Sequence, residues 1–138
     1  MSEKNTAHDQ TDILIVEDDH MLNRVMVLQL QAAGRSVRSA KTGAIALRLI
    51  EDRIPSVLIL DVGLPDLTGP EIAARLRQNP LTASIPLIVH TSLDLSEQEK
   101  EQLRLGPSRF VTKATAFSDR LAELLSEVID CGSSADPI

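Results

Sequence analysis

Val57-Leu58-Ile59-Leu60-Asp61-Val62-Gly63-Leu64-Pro65-Asp66-Leu67-Thr68-Gly69 decides the fold. Val57 to Leu60 are apolar without a break, the pattern of a strand covered on both faces rather than one. Asp61 ends the run and a Gly/Pro-rich turn follows. Thr68, with Glu71 three residues on, then reads as a capping box that opens a helix. A doubly covered strand that ends in an acid, turns and enters a helix is half of a βαβ unit.

The same alternation extends in both directions. Upstream, Ile13-Leu14-Ile15-Val16 runs into Glu17-Asp18-Asp19 and an amphipathic stretch from His20 to Ala32, which Gly34 ends. Ser36 to Ser39 reads as a second strand, and Gly43 to Asp52 as a helix with Thr42 as its cap. Downstream, Leu87 to His90 reads as a fourth strand with Pro86 tolerated at its start. A helix begins at Ser96 with a second capping-box acid at Glu99, and Arg109 to Thr112 reads as a short fifth strand. Phe117, Leu121, Leu124, Leu125 and Val128 line one face of a last helix. Five strands alternating with five helices predict an α/β fold, a doubly wound parallel sheet. The domain is expected over 12–130, between disordered polar tails at 1–11 and 131–138.

Composition narrows the function classes. At 138 residues, with 43% apolar and 25% charged residues, the chain has the size and balance of one globular domain. A lone Cys131 can form neither an internal disulfide nor a Cys-rich metal site, so a cytoplasmic, reducing setting is expected. The polar stretch from Met1 to Thr11 is no signal peptide, and no apolar run suits a bilayer. A net charge of −6 with scattered basic residues weighs against direct nucleic-acid binding. So does the aromatic content, which is Phe110 and Phe117 alone.

In doubly wound sheets chemistry gathers at the C-terminal strand ends. Those ends deliver Glu17, Asp18 and Asp19, then Asp61, then Thr91 and Ser92, then Lys113. Clustered carboxylates repel and are driven towards protonation unless a cation compensates, and an all-oxygen set with room for water suits Mg²⁺. A divalent ion, a lysine and a hydroxyl around a carboxylate describe phosphoryl transfer to that carboxylate. The blander readings are a solvated strand end for the acids, a surface lysine for Lys113 and plain core for Phe110. Asp19 reads as the N-cap of the first helix. His90 reads as a packed residue, and His8 and His20 carry no usable pattern.

These residues resemble the response-regulator receiver family of two-component signalling, from about Asp12 to Ile129. The acid pair Glu17-Asp18 follows strand one. Asp61 has Pro65 four and Gly69 eight residues on. Thr91 falls thirty residues after Asp61, Lys113 twenty-two after Thr91, and Phe110 three before Lys113. The resemblance implies a flavodoxin-like sheet of order 2-1-3-4-5. It implies Asp61 as phospho-acceptor, and Asp18, Asp61 and the Gly63 carbonyl as Mg²⁺ ligands, with Glu17 acting directly or through water. Thr91 and Lys113 would contact the phosphoryl group, and Phe110 would be the aromatic switch. The implied donor is a sensor histidine kinase or a histidine phosphotransfer protein. The implied reader is a protein partner on the face of the fourth helix, fifth strand and fifth helix.

Two departures matter. Ala114 stands where the family commonly has a proline, so a trans Lys113–Ala114 bond and a shifted loop are expected. Gly63 and Leu93 offer no polar group to orient an attacking water, which predicts slow self-dephosphorylation. Competing functions are a pseudo-receiver that binds partners without phosphorylation, and a magnesium phosphohydrolase with an aspartyl-phosphate intermediate. The latter typically needs a second acid where Gly63 stands, so the chain is expected to be a signalling module rather than an enzyme. Met1 and the short polar ends favour a stand-alone protein. The sequence does not name the kinase, nor say whether phosphorylation promotes a homodimer.

Overall fold

The computed structural model describes residues 12–91 and 95–112, together with 123, 125 and 127. The elements in chain order are β1 (Asp12–Val16), α1 (His20–Ala32), β2 (Ser36–Ala40), α2 (Gly43–Asp52), β3 (Val57–Asp61), α3 (Gly69–Arg77), β4 (Leu87–Thr91), α4 (Glu97–Leu103) and β5 (Ser108–Thr112). The five strands form one sheet of order β2-β1-β3-β4-β5, with every pairing parallel. Four helices stand among the described residues. Most of the expected fifth lies outside them, although Glu123, Leu125 and Glu127 are helical. The expected tails, 1–11 and 131–138, lie outside them as well.

The unbroken apolar runs are explained by two cores, one on each face of the sheet. Leu14, Val16, Leu58, Leu60, Leu87 and Val89 pack on one side against Ile50 of α2, Ile72 and Leu76 of α3, and Leu103 of α4. Ile13, Ile15, Val57, Ile59 and Ile88 pack on the other against Leu22, Met26 and Leu30 of α1, and against Leu125. Alternate residues of each strand therefore point into different cores.

The helix ends follow the local signals. Asp19 caps α1, accepting from the Leu22 N–H at 3.1 Å. Gly34, at φ 86°, closes the same helix. Its N–H donates to the Gln31 carbonyl and that of Arg35 to Leu30, the paired bonds of a Schellman ending. Thr68 with Glu71 and Ser96 with Glu99 form complete capping boxes.

Candidate functional site

Strand register decides which side chains share the C-terminal edge. Val16 pairs with Leu60 and Asp61 pairs with His90. Glu17, one residue past Val16, therefore lies beside Asp61, and Glu17, Asp61 and His90 form a row across three strands. The row continues the face of Ile15, Ile59 and Ile88, so α1 covers it. Glu17, Asp61 and His90 are buried, whereas Asp18 is exposed. Glu17, Asp18 and Asp61 each bring one carboxylate oxygen within 4.8 Å of the others.

The backbone around this row is tied down. The Glu17 N–H donates to the Ala40 carbonyl at 3.0 Å. The side-chain amide of Asn23, buried on α1, donates to the Glu17 carbonyl at 3.0 Å. One Glu17 carboxylate oxygen, Oε2, accepts the Asp19 N–H at 2.9 Å. Past β3, the Gly63 N–H reaches Asp61 Oδ1 at 3.3 Å, and Gly63 bridges to Thr68. The Gly69 N–H donates to the Val62 carbonyl at 3.2 Å. A Cβ at Gly69 would stand 2.9 Å from Leu103 Cδ2 and 3.2 Å from Val62 Cα, so any larger residue would press on the loop and on α4 and require both to shift.

Asp66 fastens the far side of that loop. Its carboxylate accepts from the N–H groups of Gly43 at 2.8 Å, Ala44 at 2.9 Å and Leu67 at 2.9 Å. These bonds, that from Gly43 foremost, hold its carboxyl below the ordinary value of 3.8. The start of α2 is thereby joined to the turn that follows Asp61.

Thr91 ends β4, buried, one residue past the register partner of Asp61. Phe110 pairs with Val89 on the sheet face that carries Leu58 and Leu60, and packs against that core. Lys100 Nζ and the Arg104 guanidinium of the α4 side lie 5.7 and 5.3 Å from its ring centre, cation–π distances. Lys113, Leu93 and the Lys113–Ala114 bond lie outside the described residues.

The donor set fits a magnesium ion. Octahedral ligands at about 2.1 Å place neighbouring oxygens about 3 Å apart and opposite ones about 4.2 Å apart. Three oxygens within 4.8 Å of one another approach that spacing with small side-chain rotations. Exposed Asp18 leaves a side open for the waters Mg²⁺ retains.

Of the residues expected from the sequence, the fold gathers Glu17, Asp18 and Asp61, sets Gly63 in the adjoining turn, and places Thr91 at the same edge. Asn23, Asp66 and the orientation of His90 were not read from the sequence. Asn23 left a faint signal, a polar residue three before Met26 and seven before Leu30 on the buried face of α1.

A family model for the response regulator receiver domain matches residues 13–125. The transcriptional regulatory protein KdpE of Mycobacterium tuberculosis is 36% identical over 118 residues, which are 86% of this chain and 51% of that protein. The chain thus spans about half the length of that curated relative. Among solved structures, the Vibrio cholerae chemotaxis protein CheY4 aligns with a TM-score of 0.76 at 26% identity, covering 86% of this chain and 98% of that one. The receiver domain of a Syntrophus aciditrophicus histidine kinase aligns with a TM-score of 0.74 at 26% identity, covering 87% and 90%. The chain belongs to the response regulator receiver domain family of two-component systems.

Proposed function

We propose that this receiver domain accepts a phosphoryl group on Asp61 from a kinase phosphohistidine, in a Mg²⁺-dependent reaction. The supporting observation is the convergence of the Glu17, Asp18 and Asp61 carboxylate oxygens within 4.8 Å beside a turn tied to Asp61. Glu17, Asp18, Asp61 and the Gly63 carbonyl would hold the ion, which supplies charge neutralisation for the phosphoryl oxygens. Asp61 attacks phosphorus in line; its new O–P bond forms as the donor's N–P bond breaks, and the imidazole leaves with the electron pair. Thr91 and Lys113 each take a phosphoryl oxygen.

The signal then passes through Phe110. Its ring lies on the same sheet face as Val89, two residues before Thr91, so a shift of Thr91 towards the phosphoryl group opens space next to it. Turning inward would separate the ring from Lys100 and Arg104 and change the surface of α4 and β5 that a protein partner reads. The test is incubation with a small phosphodonor, with and without Mg²⁺, followed by intact-mass measurement of wild type and Asp61→Asn. One phosphoryl gained by wild type only with Mg²⁺, and none by the variant, is the expected result. No gain, or equal gain in both, rejects the reading and favours a pseudo-receiver.

A further inference from the structure

His90 is the exception in an otherwise apolar strand interior. Leu87, Ile88 and Val89 before it are fully buried and apolar, and His90 is itself 1% exposed. Burying an imidazole costs about 1–3 kcal/mol relative to an aliphatic side chain unless its ring nitrogens find partners, so what stands beside His90 bears on its role. Its Nε2 lies 3.6 Å from Glu17 Oε1, and both side chains are shielded from water. The two residues sit on β4 and just past β1, with β3 between them, so their backbones stand about 10 Å apart. Both side chains must therefore lean across the row position of Asp61 to approach each other.

Glu17 is consequently approached at both carboxylate oxygens, Oε2 by the Asp19 N–H at 2.9 Å and Oε1 by His90. The Asp19 bond is formed, whereas the His90 approach is longer than a hydrogen bond; a small rotation of either side chain would close it and fix the plane of the carboxylate. A fixed carboxylate presents its remaining lone pairs in one direction, towards Asp18 and Asp61, and needs no reordering when a cation arrives.

We propose that His90 is a positioning residue for the acidic pocket: its imidazole holds Glu17 Oε1 from beneath Asp61 and thereby raises the affinity for Mg²⁺. The inference rests on the reading of Glu17, Asp18 and Asp61 as the cation site. It requires the neutral tautomer with the proton on Nε2, donating to the carboxylate.

Calorimetric titration of the full chain with MgCl₂ tests this in wild type, Asp18→Asn, His90→Leu and His90→Gln. Wild type is expected to bind and Asp18→Asn not to. His90→Leu should weaken binding about tenfold, the lower end for an outer partner of a metal ligand. His90→Gln, whose amide can still donate, should recover most of that loss, which a purely steric role would not predict. Equal affinity in wild type and His90→Leu overturns the role of His90 while leaving the cation site intact. Failure of wild type to bind Mg²⁺ instead overturns the cation site and, with it, the effect of His90 on affinity. The contact itself is read without metal from the ring-nitrogen resonances of ¹⁵N-histidine-labelled protein, His90 being assigned by its absence in His90→Gln. Glu17→Gln should move the His90 Nε2 resonance, and an unmoved resonance overturns the contact even if His90→Leu fails to fold.

Discussion

At the N-terminal edge of the sheet Asp12 accepts from Arg38 Nε at 3.2 Å, from Arg38 Nη2 at 2.7 Å and from Arg53 Nε at 3.2 Å. At the C-terminal edge Glu17, Asp18 and Asp61 bring carboxylate oxygens within 4.8 Å of one another, with His90 behind Glu17. The same strand, β1, leads from one arrangement to the other. Asp12 is bracketed by two guanidiniums, and that of Arg38 also donates to the carbonyls of Leu49 and Arg53, so the charge of Asp12 goes to joining β1, β2 and the end of α2. The acids at the opposite end spend theirs on a common point in space. A carboxylate matched by fixed cations is part of the scaffold; under the proposed function, carboxylates that converge on one point would hold a mobile cation.

The largest expected effect separates the two edges by stability. Arg38→Met removes the bidentate partner of Asp12 and should lower unfolding free energy by about 2–3 kcal/mol, short of the full loss for a buried pair because Arg53 remains. Denaturant unfolding measures it, and Mg²⁺ affinity should not change. A comparable loss of Mg²⁺ affinity would show that the edges are coupled. Next, Mg²⁺ at a hundred times its dissociation constant should stabilise wild type by about 2.7 kcal/mol. Arg38→Met should gain the same increment, since the edges lie about 16 Å apart along β1, whereas Asp18→Asn should gain none.

A smaller effect has the opposite sign. In metal-free buffer Asp61→Asn removes one of the mutually repelling charges and should raise stability by about 1 kcal/mol. A loss of stability would mean that Asp61 is matched by fixed cations much as Asp12 is. The smallest effect concerns Asp66, whose folded-state carboxyl titrates below its ordinary value of 3.8. A depressed carboxyl contributes stability above the unfolded value and loses it as pH falls through the folded one. Asp66→Asn should therefore lower the thermal midpoint slightly near neutrality, with the gap to wild type closing below about pH 4. A gap that persists at lower pH would assign the contribution to packing of the loop instead.

The parallel sheet and both cores follow from patterns visible in the sequence, because strands covered on both faces must be continuously apolar and capping residues announce helix starts. The strand order followed only from the family resemblance. Glu17, Asp18 and Asp61 were legible as a set because the fold class places strand C-termini at one edge. The contact of His90 with Glu17 was not legible. It depends on register, which puts position 90 beside 61 rather than one residue off, and a one-residue slip would turn the imidazole into the other core. The Asp66 clamp was hidden for a related reason, since its partners Gly43 and Ala44 are backbone groups more than twenty residues away. The role of Asn23 was not legible either, because a polar residue on the buried face of a helix does not say which backbone carbonyl it holds.

The most direct test of Asp61 as acceptor is to trap the phosphorylated protein with borohydride, which reduces an acyl phosphate to an alcohol, and to map the product by peptide mass spectrometry. Conversion of Asp61 to homoserine, dependent on Mg²⁺ and on the phosphodonor, is the result this account predicts. Homoserine at Glu17's neighbours Asp18 or Asp19, or no homoserine in protein that binds Mg²⁺, would contradict it.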